Sequence, residues 1–205
     1  MKARKLDKRK VKERILIICE GEKTEPIYFN GIKNEKRVNN HLAALKIELH
    51  DSKINTGKQL VELAKELKKA AQKELNPYDE VWVVFDKDGY TKHPETFNQA
   101  KDNGIKVAFS SVSFEYWFLL HLVQTTKQFK KADDLIKELK TRGYHNYDKN
   151  LDHYEFLKLF TDKAINNAQW LREQLESTND KDYKCYECDA YTDVDILVEY
   201  LLNLK

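Results

Sequence analysis

The sequence predicts an α/β protein: a small, parallel-dominated sheet flanked by helices, with a helical C-terminal part. Three observations carry this reading. The runs Ile15-Leu16-Ile17-Ile18-Cys19 and Val81-Trp82-Val83-Val84-Phe85 are short, unbroken and rich in β-branched or aromatic residues, as strands buried on both faces of a parallel sheet are. Helix-period segments alternate with strand-like ones through the first 120 or so residues. Beyond them the signals are helical to the end.

The elements follow in order. A first strand at about 14–19 runs into Gly21, and Thr24 and Pro26 suit the start of a helix carrying Ile27, Tyr28 and Ile32. Leu45, Ile47 and Leu49 alternate with Lys46, Glu48 and His50, the period of a half-exposed or edge strand at about 44–50. Thr56-Gly57-Lys58-Gln59 has capping-box spacing and opens a helix with Leu60, Leu63, Ala64, Leu67, Ala70 and Ala71 on one face. Asn76-Pro77 ends it, and the strand 81–86 follows. Residues 94–102 read as a helix stopped by Asn103-Gly104, and Ile105–Phe109 as the next strand. A helix at about 113–122 is apolar apart from Glu115 and His121. Further helices are predicted at about 131–141, about 152–176, and from Thr192. In the last, Thr192-Asp193-Val194-Asp195 again has capping-box spacing, and Val194, Leu197, Val198, Leu201 and Leu204 form an apolar stripe.

Composition bounds the function. The 205 residues fit one domain or a core with an appendix. No apolar run approaches the roughly 18 residues that a membrane span needs, and no signal-peptide core follows the basic N-terminus. Three cysteines make no disulfide framework, so the expected setting is the reducing cytoplasm. The net charge of +2 says little, but residues 1–14 hold eight Lys or Arg against Asp7 and Glu13. Such an arm can bind phosphate backbones, and reads equally as a solvated leader.

The chemistry lies in the acids. The first apolar run ends in Glu20-Gly21 and the second in Asp86-Lys87-Asp88, at the strand ends where open α/β sheets bind ligands. Asp86 and Asp88 are two apart and leave the same face if the strand persists. Hard oxygen donors converging there suit magnesium or manganese. Glu115 stands in the most hydrophobic helix, Ser113-Phe114-Glu115-Tyr116-Trp117-Phe118-Leu119-Leu120-His121, where an unpaired carboxylate is costly to bury. It needs a cation, a Lys or Arg, or the helix N-terminus itself, and membership of the acid cluster is the favoured reading.

These residues resemble a known family. Glu20-Gly21 and Asp86-Lys87-Asp88 are similar to the two signature motifs of the Toprim fold. More narrowly, Cys19-Glu20-Gly21-Glu22-Lys23-Thr24-Glu25-Pro26-Ile27-Tyr28-Phe29, Val84-Phe85-Asp86-Lys87-Asp88 and the Ser113–His121 segment resemble the RloB family, also called AbiL-type abortive-infection components. The resemblance extends through Tyr147-Asp148-Lys149-Asn150 and Lys163–Ala168 to Tyr191–Glu199. One departure is Asp189-Ala190-Tyr191, where the family commonly has Asn-Pro ahead of its last helix.

The resemblance implies a Toprim-like catalytic core at 14–125, preceded by the basic arm at 1–13. A helical part at 126–205, with its last helix at 192–204, would pack on that core. It implies a metal-dependent nuclease of RNA (tRNA included) or DNA in prokaryotic phage defence, often encoded beside an ATPase. Glu20 would be the first-motif acid, near the scissile phosphate, acting as general acid or base. Asp86 and Asp88 would hold magnesium, Glu115 and Glu25 would complete a second metal site, and Lys149 would stabilise charge on the phosphate. A pair of ions about 3.5–4 Å apart can serve the attacking and leaving oxygens together. At this length a topoisomerase or primase lacks room for its other parts. The competing reading is a non-catalytic Toprim-fold subunit that binds a nucleotide, a nucleic acid or an ATPase partner. The oligomeric state stays open.

Other candidates are weaker. Cys185-Tyr186-Glu187-Cys188 is a single C-x-x-C, and His145 and His153 lie at no standard zinc spacing, so two thiols in a surface turn are favoured over structural zinc. His121 reads as a hydrogen-bonded core histidine. Gly57-Lys58 lacks the glycine spacing of a phosphate loop. Tyr144, Tyr147 and Tyr154 could stack on bases, but packing is the favoured role.

Overall fold

A computed structural model describes residues 14–35, 44–48, 56–87, 92–178 and 183–204. Four strands, β1 (Arg14–Cys19), β2 (Ala44–Glu48), β3 (Glu80–Asp86) and β4 (Lys106–Ser110), form one all-parallel sheet in the order β2-β1-β3-β4. Helices α1 (Thr24–Asn34), α2 (Gly57–Lys73) and α3 (His93–Asp102) stand between successive strands.

Alternation along each strand divides the core. Ile15, Ile17, Trp82 and Val84 face α1 and the C-terminal helices, while Leu16, Ile18, Val83 and Phe85 face α2 and α3. Because α1 and α3, the helices that follow β1 and β3, lie on opposite faces of the sheet, the chain leaves those two strands in opposite directions. That makes the carbonyl end of the β1–β3 pair the topological switch point of the sheet, the crevice where such folds bind ligands. The expected parallel sheet with flanking helices is therefore present. β1 has the expected bounds, β3 and β4 differ from expectation by one residue, and the basic arm, Leu49, His50 and Asp88 lie outside the described residues.

The C-terminal part is helical: α4 (Glu115–Leu122), α5 (Ala132–Thr141), α6 (His153–Leu157), α7 (Thr161–Thr178) and α8 (Val194–Asn203). The single helix expected at about 152–176 is broken by a 3-10 turn at Lys158–Phe160. The break has a packing cause: α6 lies on α1, with Tyr154 against Gly31, whereas α7 lies on α4 and α8. Two partners in different directions cannot be reached by one straight rod.

Residues 191–193 then return along the free edge of β4. Ser111 N donates to Tyr191 O at 2.8 Å and Asp193 N to Phe109 O at 3.1 Å, so a short antiparallel segment covers the edge. The capping box expected at Thr192 does not form. The Asp193 carboxylate instead accepts from Phe109 N at 2.6 Å, and Asp195 is taken by Arg172. Thr24 likewise begins α1 without capping it, whereas Thr56 Oγ1 does accept from Gln59 N, at 3.4 Å. No described helix is long and apolar enough to cross a membrane.

Candidate active site

A cavity of about 410 Å³ opens at the switch point, and Glu20, Glu25, Asp86, Glu115 and Lys149 all line it. Five of the six residues singled out from the sequence thus meet in one place, although they come from four separate segments. Asp88 lies outside the described residues.

Each acid arrives by a different local device. Glu20 follows the last residue of β1; its amide donates to Val84 O at 2.9 Å, and its Oε2 accepts from the Asp86 amide at 3.2 Å. The first acid is therefore fastened to the backbone of the second. Asp86 closes β3, and the Lys87 amide continues the ladder to Ser110 O at 2.9 Å. Glu25 stands in the first turn of α1 and folds back over Gly21. A Cβ at position 21 would come within 2.6 Å of the Glu25 carboxyl carbon, so glycine is what permits the approach. Glu115 begins α4, with its carboxylate turned toward the same space.

Electrostatics sets these acids against one another. Glu25 is 5% exposed and Glu115 4%. Burial, joined by the charges of Glu115 and Glu20, pushes the Glu25 carboxyl up to about 7 against the pull of its own and the Gly21 amides. The buried Cys19 thiol beneath is pushed well above its ordinary range, by burial and then by the charges of Glu25 and Asp86. Glu115 accepts a hydrogen bond from the Tyr147 hydroxyl, whose own pKa is raised by burial and by that carboxylate.

Tyr147 is the partner that sequence reasoning missed. The sequence offers Glu115 a cation or a helix end and gives the tyrosine a packing role. It lies 32 residues away in sequence, and only the fold brings the two together. Tyr144 and Tyr154 are buried, as the packing role required.

The donor set suits a hard dication, since the acids offer only oxygen and repel one another without a counter-charge. Among the described residues, however, no group of three or more His, Cys, Asp or Glu closes around a single point. The acids line the cavity rather than enclosing an ion.

The remaining candidates resolve simply. His121 is fully buried, with Nδ1 2.9 Å from Trp117 O, and burial lowers its pKa to about 3, so it is a neutral core residue. His153 is buried against Tyr144. Gly57 serves packing, because a Cβ there would meet the Phe85 ring at 2.9 Å. Cys185 and Cys188 are free, half-buried thiols in a 3-10 turn.

The family model described as RloB-like protein matches residues 15–201, nearly the whole chain. No curated protein and no solved structure matches it.

Proposed function

This chain belongs to the RloB-like family, and on that premise we propose that it is a magnesium- or manganese-dependent nuclease of the Toprim type. It would act in the prokaryotic cytoplasm in phage defence, with an ATPase partner. The observation that carries this reading is the gathering of Glu20, Glu25, Asp86, Glu115 and Lys149 around one cavity at the switch point.

Glu25, Asp86 and Glu115, with Asp88, are the residues that would hold the cation. Bound there, it would supply charge neutralisation at the phosphoryl oxygens and a water of lowered pKa. Glu20 accepts the Asp86 amide through Oε2, so the backbone fixes its position and its carboxylate can take a proton from an attacking water. Lys149 contributes positive charge beside the phosphate.

A second reading has its own support: the described acids do not close around one point, which suits a subunit that binds nucleic acid or a partner without cutting. Labelled RNA and DNA incubated with the protein, with and without magnesium and any ATPase found encoded beside it, separate the two. Metal-dependent cleavage lost in Glu20→Gln and in Asp86→Asn supports the nuclease, with an expected fall of roughly 10²–10³ in rate. A wild type silent on both substrates in every combination rejects it.

A further inference from the structure

A serine that caps nothing marks the start. Ser113 stands just ahead of α4, where a serine ordinarily accepts a first-turn amide, yet its hydroxyl makes no hydrogen bond among the described residues. The residue is 7% exposed and lines the acid cavity. A buried hydroxyl without a partner costs free energy unless something arrives to pair it.

The turn that carries Ser113 into the cavity wall is strained and firmly held. Val112 has φ +70°, a left-handed conformation that a β-branched residue strongly resists. Ser111 is clamped on both sides: its amide donates to Tyr191 O at 2.8 Å and its Oγ to Cys188 O at 2.7 Å. Lys87 holds the same Cys185–Cys188 turn, donating to Cys188 O at 3.0 Å and to Asp189 Oδ1 at 2.7 Å. Strain persists only where its surroundings over-determine it, and here they do.

Val112 also joins two cavities. It lines the acid cavity and a second one of about 540 Å³, which includes Lys87, Lys130, Lys131 and Asp189, and Ala132 at the start of α5 lines both. Lys87 answers Asp189, while Lys130 and Lys131 are exposed and form no ion pair among the described residues. The two spaces are thus neighbours that share Val112 and Ala132, one lined by carboxylates and the other by lysines, with Ser113 in the acid cavity next to Val112.

We propose that the two together form a groove for a phosphodiester backbone. One phosphate sits in the acid cavity, with Ser113 Oγ donating to a non-bridging oxygen, and the next lies against Lys130 and Lys131. The inference rests on the acid cavity receiving a phosphodiester, as proposed above, and adds the direction in which the strand leaves it.

The test is binding, read by fluorescence anisotropy of short labelled single strands of RNA and DNA across a salt series, with calcium in place of magnesium. Lys130→Ala/Lys131→Ala lowers the slope of log affinity against log salt by roughly 0.7 per lysine on at least one strand type. Ser113→Ala binds roughly tenfold more weakly with the slope unchanged, since it removes a hydrogen bond and no charge. Lys69→Ala/Lys73→Ala, two exposed lysines of α2, leaves both affinity and slope alone. A lysine variant with the wild-type slope on both strands overturns the proposal, and so does wild-type affinity in Ser113→Ala. A protein with this binding signature that cuts neither strand in magnesium loses the nuclease reading and keeps the groove. One that cuts while its slope ignores both lysines keeps the nuclease reading and loses the groove.

Discussion

Two groups of buried acids in this molecule are treated in opposite ways. Beside α8, the Asp195 side chain is 1% exposed and meets both terminal nitrogens of Arg172, at 2.6 and 2.7 Å. In the cavity at the switch point, Glu25 and Glu115 are about as buried, yet Glu25 has backbone amides and Glu115 a tyrosine hydroxyl as partners, and their charges oppose each other. An acid matched to an internal cation serves the fold. Acids left to repel one another at a sheet edge cost stability until positive charge arrives, and that is the expected signature of a site shaped for a ligand rather than for rigidity.

The largest effect is expected where the match is broken. Arg172→Met leaves Asp195 buried without its cation, and should lower unfolding free energy by about 3–5 kcal/mol in urea titration. Arg172→Met/Asp195→Leu should recover most of that loss, because similar apolar volume replaces the pair. If the double variant is no more stable than the single, the cost lies in Arg172's bond to Thr192 O rather than in the ion pair.

Asp193 lies between the two cases. It is next to the matched pair but has amide and hydroxyl partners, Phe109 N and the Tyr191 hydroxyl. Burial, with the Asp195 charge beside it, pushes its carboxyl up to about 7. A raised carboxyl pKa gives stability that is fully present below the unfolded-state value, near 3.9, and is lost as pH rises through about 7. Asp193→Asn keeps an acceptor for Phe109 N and removes this dependence. The variant should match the wild type near pH ~4 and exceed it by roughly 2–4 kcal/mol near pH ~8. A difference that does not grow with pH would show that Asp193 is ionised in the fold at no cost.

How much of this could be read from the sequence follows from distance along the chain. The ends of β1 and β3 were legible because an unbroken apolar run followed by an acid is a local pattern, and the sheet brings such ends together. Glu115 was legible as an oddity, a carboxylate among aromatics. Its partner Tyr147 was not, since nothing local distinguishes a tyrosine that packs from one that also donates across 32 residues. The same holds for Arg172 and Asp195, and recruitment of Asp195 removes the acid from the capping box expected at Thr192, whose Oγ1 accepts from Val194 N. The strained Val112 was equally hidden, because a valine at φ +70° contradicts its own propensity and only the clamp on Ser111 sustains it.

Within the cavity the expected sign reverses. With magnesium removed by chelation, Glu25→Gln takes one charge away from Glu115 and Glu20 and should stabilise the protein at pH ~8, by about 1–3 kcal/mol. The sign follows from a pKa raised to about 7: the wild-type penalty develops as pH climbs through that value. Adding magnesium should raise the wild-type melting temperature and move the variant less, since ligand stabilisation scales with affinity. Equal shifts in both would remove Glu25 from the cation's ligands and leave the repulsion without that purpose.

The smallest stability change is expected at Gly21, and it separates fold from site most cleanly. A Cβ there meets the end of the Glu25 side chain rather than backbone, so the carboxylate can turn aside at little cost. Gly21 is not among the positive-φ glycines, so its backbone accepts alanine, and the stiffer unfolded chain offsets part of any crowding. Gly21→Ala should therefore unfold within about 1 kcal/mol of the wild type. Metal binding should not be so indifferent. If Glu25 must fold back over residue 21 to reach the cation, displacing it should weaken magnesium binding in calorimetric titration by roughly tenfold. Glu25→Gln should lose as much, and the two changes combined should lose little more, because they act through one carboxylate. Unaltered affinity in Gly21→Ala would mean that the close approach of Glu25 to Gly21 is packing alone, with the cation held by Asp86, Asp88 and Glu115.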